Sequence, residues 1–167
     1  MVRAIGIDPG SRFTGYGIME GDGSRLRHVD NGTIRVPTRY RFPDRLKYIY
    51  DQLSLIIGRF QPENMAVEDV FFAKNVQSAL RLGQARGAAM LAGINAGLSI
   101  HEYSALQIKQ AVVGYGRAGK DQIVRMICHL CRLKESMDPN AADALAAAIC
   151  HLNIRSSRAR WNEAGAP

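Results

Sequence analysis

Cysteine is scarce and odd in number, three among 167 residues. That count argues against a disulfide framework and for a reducing compartment, so a cytoplasmic location is expected. No apolar run approaches the roughly 20 residues needed to cross a bilayer, which excludes a membrane-spanning segment from the expectations. The first apolar run, "AIGI", stops at Asp8 and lacks a cleavage region, unlike a signal peptide. There is no internal repeat and no linker that would split the chain, so residues 1–155 read as one domain, followed by a basic, flexible tail over 156–167. Histidines are few and scattered, at 28, 101, 129 and 151, and no Ser/His/Asp or Cys/His arrangement for nucleophilic catalysis stands out. Acidic residues are outnumbered, 15 against 22 Lys and Arg, giving a formal net charge of +7. The excess favours a polyanionic partner, although a basic soluble enzyme without one fits the same number.

What is present begins with hydrophobic runs separated by turns. Residues 2–8, 14–20 and 25–36 read as three successive strands joined by short turns. The third, "RLRHVDNGTIRV", alternates and is polar, which suits a sheet edge. A helix over about 44–60 follows, with Leu46, Ile49, Leu53, Ile56, Ile57 and Phe60 at helical spacing. "NMAVEDV" is a strand, 76–96 a helix rich in small residues, "LSIHEY" a strand, and 104–113, 120–133 and 139–155 are helices. Three antiparallel strands, then alternation, predict an α/β fold: a mixed five-stranded sheet with helices on both faces.

Three acids stand in apolar surroundings. Asp8 ends the strand "AIGID", Glu68 ends "MAVE", and Asp143 lies in "NAADALAAAI". Asp138 before Pro139 reads as a helix N-cap and first helical residue, which gives it a structural role. Asn140 and Asp143, three apart, share a helix face. A carboxylate in an apolar setting costs free energy unless paired. Each acid alone fits pairing with an arginine or a backbone amide. Three brought together repel unless cations lie between them, and hard oxygen ligands without imidazole or thiolate suit Mg²⁺ or Mn²⁺.

The blocks "GIDPGSRFTGYGI", "VEDVFFAKNVQSALRLGQARGAA", "QIKQAVVGYGRAGKDQI" and "NAADALAAAICH" resemble, in order and spacing over residues 1–153, the RuvC-type Holliday-junction resolvases of the ribonuclease H-like superfamily. The resemblance implies a homodimeric, Mg²⁺-dependent endonuclease, with two ions in each subunit's acidic set and Mn²⁺ as a substitute. It implies nicking of opposed strands of a four-way DNA junction in recombination and repair. It also implies partnership with the branch-migration proteins RuvA and RuvB. The family's acidic set carries over as Asp8, Glu68 and Asp143, with Asp8 bridging two ions and the others each holding one side. One position departs: where the family usually has Asp, or His in some members, this chain has Asn140. That leaves a junction-binding protein with impaired cleavage as the alternative. Since Asn and Asp have nearly one shape, the fold is expected to tolerate either at 140.

The resemblance places Phe71 toward DNA, where it would stack on a base; core burial is the competing reading. Lys109 and Lys120 are its firmest phosphate contacts. Lys74, Arg81, Arg86, Arg117 and Arg12 add basic charge that fits phosphate contact or a solvated surface. On the helix 76–96, Ala79, Gly83 and Gly87 form a ridge that reads either as helix-on-sheet packing or as a homodimer seam. Two motifs mislead. "GYGRAGK" fits a phosphate loop but is followed by Asp121 instead of Ser or Thr, which argues against a nucleotide switch. "CHLC" with Cys150 and His151 has four zinc-type donors, but both pairs fall in apolar helices where cysteine is a small hydrophobe.

Overall fold

A computed structural model of the protein describes residues 1–22, 25–69, 75–133 and 137–163. In chain order the elements are β1 (Val2–Asp8), β2 (Phe13–Gly21), β3 (Leu26–Arg35), α1 (Phe42–Phe60), β4 (Asn64–Asp69), α2 (Val76–Asn95), β5 (Ser99–Ser104), α3 (Ala105–Val113), α4 (Lys120–Cys131) and α5 (Pro139–Glu163). The five strands form one mixed sheet in the order β3-β2-β1-β4-β5. β1 pairs antiparallel with β2, and β2 with β3. β4 joins parallel to β1, and β5 parallel to β4. The polar alternating strand is at the edge, as its pattern predicts.

Side chains along a strand alternate between faces, and that alternation sorts the core into two layers. Ile5, Ile7, Ile18, Met65 and Val67 point to one face and pack with Ile49, Leu53 and Ile57 of α1 and Ala85 and Ala89 of α2. Ala4, Met19, Ala66 and Tyr103 point to the other face, toward α3, α4 and α5. By the same period Asp8 follows Ala4 and Gly6, and Glu68 follows Ala66. Both carboxylates therefore leave the sheet on the α5 side, at the ends of the adjacent strands β1 and β4.

Helix α5 lies unusually near the sheet, and sequence explains why. Its buried face is built from Ala141, Ala142, Ala144, Leu145 and Ala148. The strands beneath carry glycine: a Cβ at Gly6 would stand 1.9 Å from the Ala144 carbonyl oxygen, and one at Gly15 would stand 2.0 Å from that of Asn140. Alanine on one side and glycine on the other let backbone approach backbone. Leu145 and Ile149, both fully buried, anchor the helix there, and truncating Leu145 to Ala would cost about 2–5 kcal/mol.

α5 continues to Glu163, where the sequence reading ended the helix at 155 and began a loose tail. Residues 154–163 contain neither glycine nor proline to stop a helix, and the Ser156 and Ser157 hydroxyls donate back to the Asn153 carbonyl at 3.0 and 2.9 Å. At its start Asp138 caps the helix: its Oδ1 accepts from the Asn140 backbone N–H at 3.0 Å, as the Asp-Pro pair predicts. α3 opens with a capping box in which the Ser104 hydroxyl accepts from the Gln107 backbone and the Gln107 side chain accepts from the Ser104 backbone. Because helix α3, and not a strand, leads directly into "GYGRAGK", the phosphate-loop reading falls.

Candidate metal and DNA site

The acidic site forms where β1 and β4 end and α4 and α5 begin. Asp8 lies half-buried there, and its pKa is pushed up to about 7. Burial is the largest cause, followed by the charges of Asp143 and Glu68, which Lys120 partly offsets. The Glu68 carboxyl is also raised, by burial and then by Asp143, against the lowering influence of Lys109 and Lys120. Three carboxylates from two strand ends and one helix thus sense one another across one site.

Lys120, the first residue of α4, donates to Asp143 Oδ2 at 3.0 Å. This hydrogen bond, with the charges of Asp143, Asp8 and Glu68, raises the Lys120 pKa despite partial burial. Lys109 of α3 lines the same cleft, a space of about 260 Å³ shared with Glu68, Lys120 and Asp143. Size does not mark the site: a cavity of about 380 Å³ between α1 and α2 carries no charged side chain. Among the described residues no three His, Cys, Asp or Glu side chains are drawn close enough to cage an ion. The Lys120 ammonium instead supplies the positive charge at Asp143. The donor set nevertheless suits a hard divalent cation, since the sites share carboxylate oxygens whose mutual repulsion a cation would relieve.

Asn140 is the second residue of α5, and its carbonyl lies over Gly15, the residue that pairs with Asp8 across β1 and β2. Its side chain is not idle: Nδ2 donates to Asp138 Oδ1 at 3.0 Å. That oxygen also accepts from the Thr33 hydroxyl at 2.7 Å, and Asp138 Oδ2 accepts from Arg35 at 3.0 Å. These donors, Thr33 first, hold the Asp138 carboxyl below the usual range. Asp138 is thereby committed to its neighbours, in line with the capping role read from sequence.

The basic residues divide. Arg12, in the turn after β1, and Arg117, between α3 and α4, are exposed. Arg81 is exposed and stacks its guanidinium 5.7 Å from the Phe42 ring centroid at the start of α1. Arg86 corrects the expectation of a phosphate contact. Its side chain is only 18% exposed and pairs with Glu102, while Nε donates to the Glu68 carbonyl at 3.2 Å. It braces the end of β4 because α2 packs across that strand, which a one-dimensional pattern of charges does not disclose. Phe71 and Lys74 lie outside the described residues. Also missed was the Thr33–Asp138–Arg35 group. The alternation of small residues at Gly6, Gly15 and Gly17 was a readable signal for the close approach of α5.

The zinc-type donors do not assemble. Cys128, Cys131 and Cys150 are buried, and none of them forms a disulfide. Burial pushes Cys131 and Cys150 up to about 12, the reverse of a metal-binding thiolate.

Comparison with known proteins gives the family. The profile of the family described as crossover junction endodeoxyribonuclease RuvC matches residues 4–151. A relative of that name from Pelobacter propionicus is 55% identical over 152 residues, covering 91% of this chain and 86% of its own. Another, from Alkalilimnicola ehrlichii, is 53% identical over 166 residues, covering 99% of this chain and 100% of its own. The solved structure of T. thermophilus RuvC in complex with Holliday junction substrate superposes with a TM-score of 0.89 at 29% identity, covering 95% of this chain and 97% of that one. By sequence profile, close relatives and fold, the chain belongs to the RuvC family of crossover junction endodeoxyribonucleases.

Proposed function

We propose that the protein is a Mg²⁺-dependent endonuclease that resolves four-way DNA junctions by nicking opposed strands. The observation that carries this reading is the convergence of Asp8, Glu68 and Asp143 on one end of the sheet, beside Lys109 and Lys120. When bound, a pair of Mg²⁺ ions would ready a water for attack and neutralise charge at the scissile phosphate. Asp8, whose carboxyl senses the charges of both Asp143 and Glu68, would be shared; Glu68 and Asp143 would each hold one side, with Asn140, one turn before Asp143 on α5, offering an uncharged oxygen. Lys120 now pairs with Asp143 and would release it to take a phosphate oxygen, while Lys109 faces the same cleft. Exposed Arg12, Arg81 and Arg117 would extend the phosphate contacts. Phe71 and Lys74 belong to the proposed DNA contacts on family grounds alone.

A homodimer would present two such sites to a two-fold symmetric junction. Support comes from α2. Among the described residues a Cβ added at Gly83 or Gly87 would meet nothing within 4 Å, so the ridge does not pack on the described part of this chain's own sheet. Val76, Leu80, Leu91 and Ile94 continue the stripe and are 77, 62, 53 and 53% exposed. An apolar stripe of this length on a helix suits a second copy. Leu80→Glu should leave a folded monomer by sedimentation; an unchanged dimer would remove α2 from the seam.

Partnership with RuvA and RuvB and a cytoplasmic location complete the proposal. Three buried cysteines without a disulfide are consistent with the latter. Among the described residues no helix is long and apolar enough to cross a membrane. The test of activity is nicking of a synthetic four-way junction with Mg²⁺ and with chelator. The chain should nick only with the metal, and Asp8→Asn should bind the junction without nicking it. Mg²⁺-dependent nicking by Asp8→Asn would defeat the assignment. A second reading, binding with slow or absent cleavage, is favoured by the neutral amide of Asn140.

A further inference from the structure

We infer that Asp138 is a positioning residue that decides which end of Asn140 faces the acidic site. The inference rests on the metal-dependent reading proposed above. A primary amide has two ends of nearly equal size, one a donor and one an acceptor. A carboxylate only accepts, so the end of Asn140 that meets Asp138 Oδ1 at 3.0 Å is the nitrogen. The side-chain carbonyl oxygen is then the end left to be offered elsewhere. Asn140 sits beside Asp8, because its backbone carbonyl lies over Gly15 and Gly15 pairs with Asp8. A neutral, hard oxygen in that place suits Mg²⁺ or Mn²⁺; the opposite end, an NH₂, would repel either ion.

Asp138 can pin the amide only if it is held itself. Four donations hold it. Thr33 Oγ1, the Asn140 backbone N–H and Asn140 Nδ2 reach Oδ1 at 2.7, 3.0 and 3.0 Å, and Arg35 reaches Oδ2 at 3.0 Å. Thr33 and Arg35 lie two apart on β3 and so leave that strand on the same side. The edge strand thus reaches across to the first turn of α5 and fixes the rotamer of its cap. Such outer-shell partners typically tune metal affinity by about 10–100-fold. A chain with Asn in place of Asp at 140 needs this device, since a carboxylate presents oxygen from either end and an amide does not.

The experiment is Mn²⁺ binding to the full chain without DNA, by calorimetry and by electron paramagnetic resonance, with thermal unfolding alongside. Asp138→Ser keeps a capping oxygen but is too short to hold the amide. It should weaken Mn²⁺ about tenfold or more. Asp138→Asn, whose carbonyl still accepts from Nδ2, should retain most of the affinity. In an Asn140→Ala background, Asp138→Ser should change the affinity no further. The inference is overturned if Asp138→Ser lowers only the unfolding temperature, which would leave Asp138 a helix cap. It is also overturned if Asp138→Asn is as weak as Asp138→Ser, since charge rather than pinning would then act. An undiminished effect of Asp138→Ser in the Asn140→Ala background would make Asp138 a ligand in its own right. Mn²⁺ affinity indifferent to Asp8→Asn would instead defeat the metal site itself, a result separate from all of these.

Discussion

Asn140→Asp installs the residue that the family resemblance leads one to expect there, and its shape alone suggests a silent change in stability. The structure gives a different expectation. Asn140 Nδ2 stands 3.0 Å from Asp138 Oδ1 as a donor. An aspartate there loses a hydrogen bond to a charged group, worth about 1.5–3 kcal/mol. It also sets two carboxylates about 3 Å apart, a repulsion of roughly 5 kcal/mol at an effective dielectric of 20 before relaxation. Rotation of the new side chain, solvent at Asp138 and its pairing with Arg35 remove much of that, since the Asp138 side chain is 29% exposed. A net loss of about 2–3 kcal/mol is expected, or roughly 4–12 °C in Tm for a chain of this size. A divalent cation reverses the sign, because the added carboxylate turns toward it and away from Asp138. Calorimetric unfolding in chelator and in saturating Mg²⁺, beside junction nicking, is the assay. The variant should melt lower than the parent in chelator, gain more from Mg²⁺, and nick faster. Equal melting in chelator would refute the Asn140–Asp138 bond as a stabilising contact. Nicking by the parent as fast as by the variant would show that three carboxylates suffice.

Other expectations follow from single residues. Lys109→Ala should flatten the dependence of log junction affinity on log salt by about one phosphate contact; an unchanged slope removes it from the footprint. Gly6→Ala places a Cβ 1.9 Å from the Ala144 carbonyl oxygen, so α5 must lift away. It should cost at least about 1–3 kcal/mol and slow nicking by shifting Asp143 from Asp8, and an unchanged Tm would refute the close approach. His151 is 3% exposed, shares a 2.9 Å hydrogen bond between Nδ1 and the Tyr103 hydroxyl, and leaves Nε2 buried with no hydrogen-bond partner among the described residues. Burial first, then His101 and Arg155, lowers its pKa from 6.5 to about 4. Below pH 6.5 the unfolded chain takes up a proton that the folded chain refuses until about pH 4. Stability from this group is therefore full above that window and falls through it as pH drops, by about 3 kcal/mol in all. His151→Gln should flatten the fall in Tm between the two limits, and an unaltered slope would assign it to other groups.

Sequence carried the parts of this protein that depend on period and on local chemistry. Alternation at Ala4, Gly6 and Asp8, and at Ala66 and Glu68, is legible as two carboxylates leaving neighbouring strands, and Asp138-Pro139 is legible as a helix start. Contacts between elements distant in the chain were less so. Thr33 and Asp138 lie 105 residues apart, and nothing in either segment names the other. Arg86 reads as one more cation in a basic stretch until α2 is laid across β4, and only then does its guanidinium turn from a phosphate contact into a brace for Glu68. The same distinction bears on Asn140. As a sequence feature it is a carboxylate lost; in the fold its nitrogen is bound to a helix cap that β3 holds, so the loss is partly offset by an oxygen of fixed direction. Position 140 is therefore best understood together with Thr33, Arg35 and Asp138, because the amide can present a reliable oxygen only while those three hold their places.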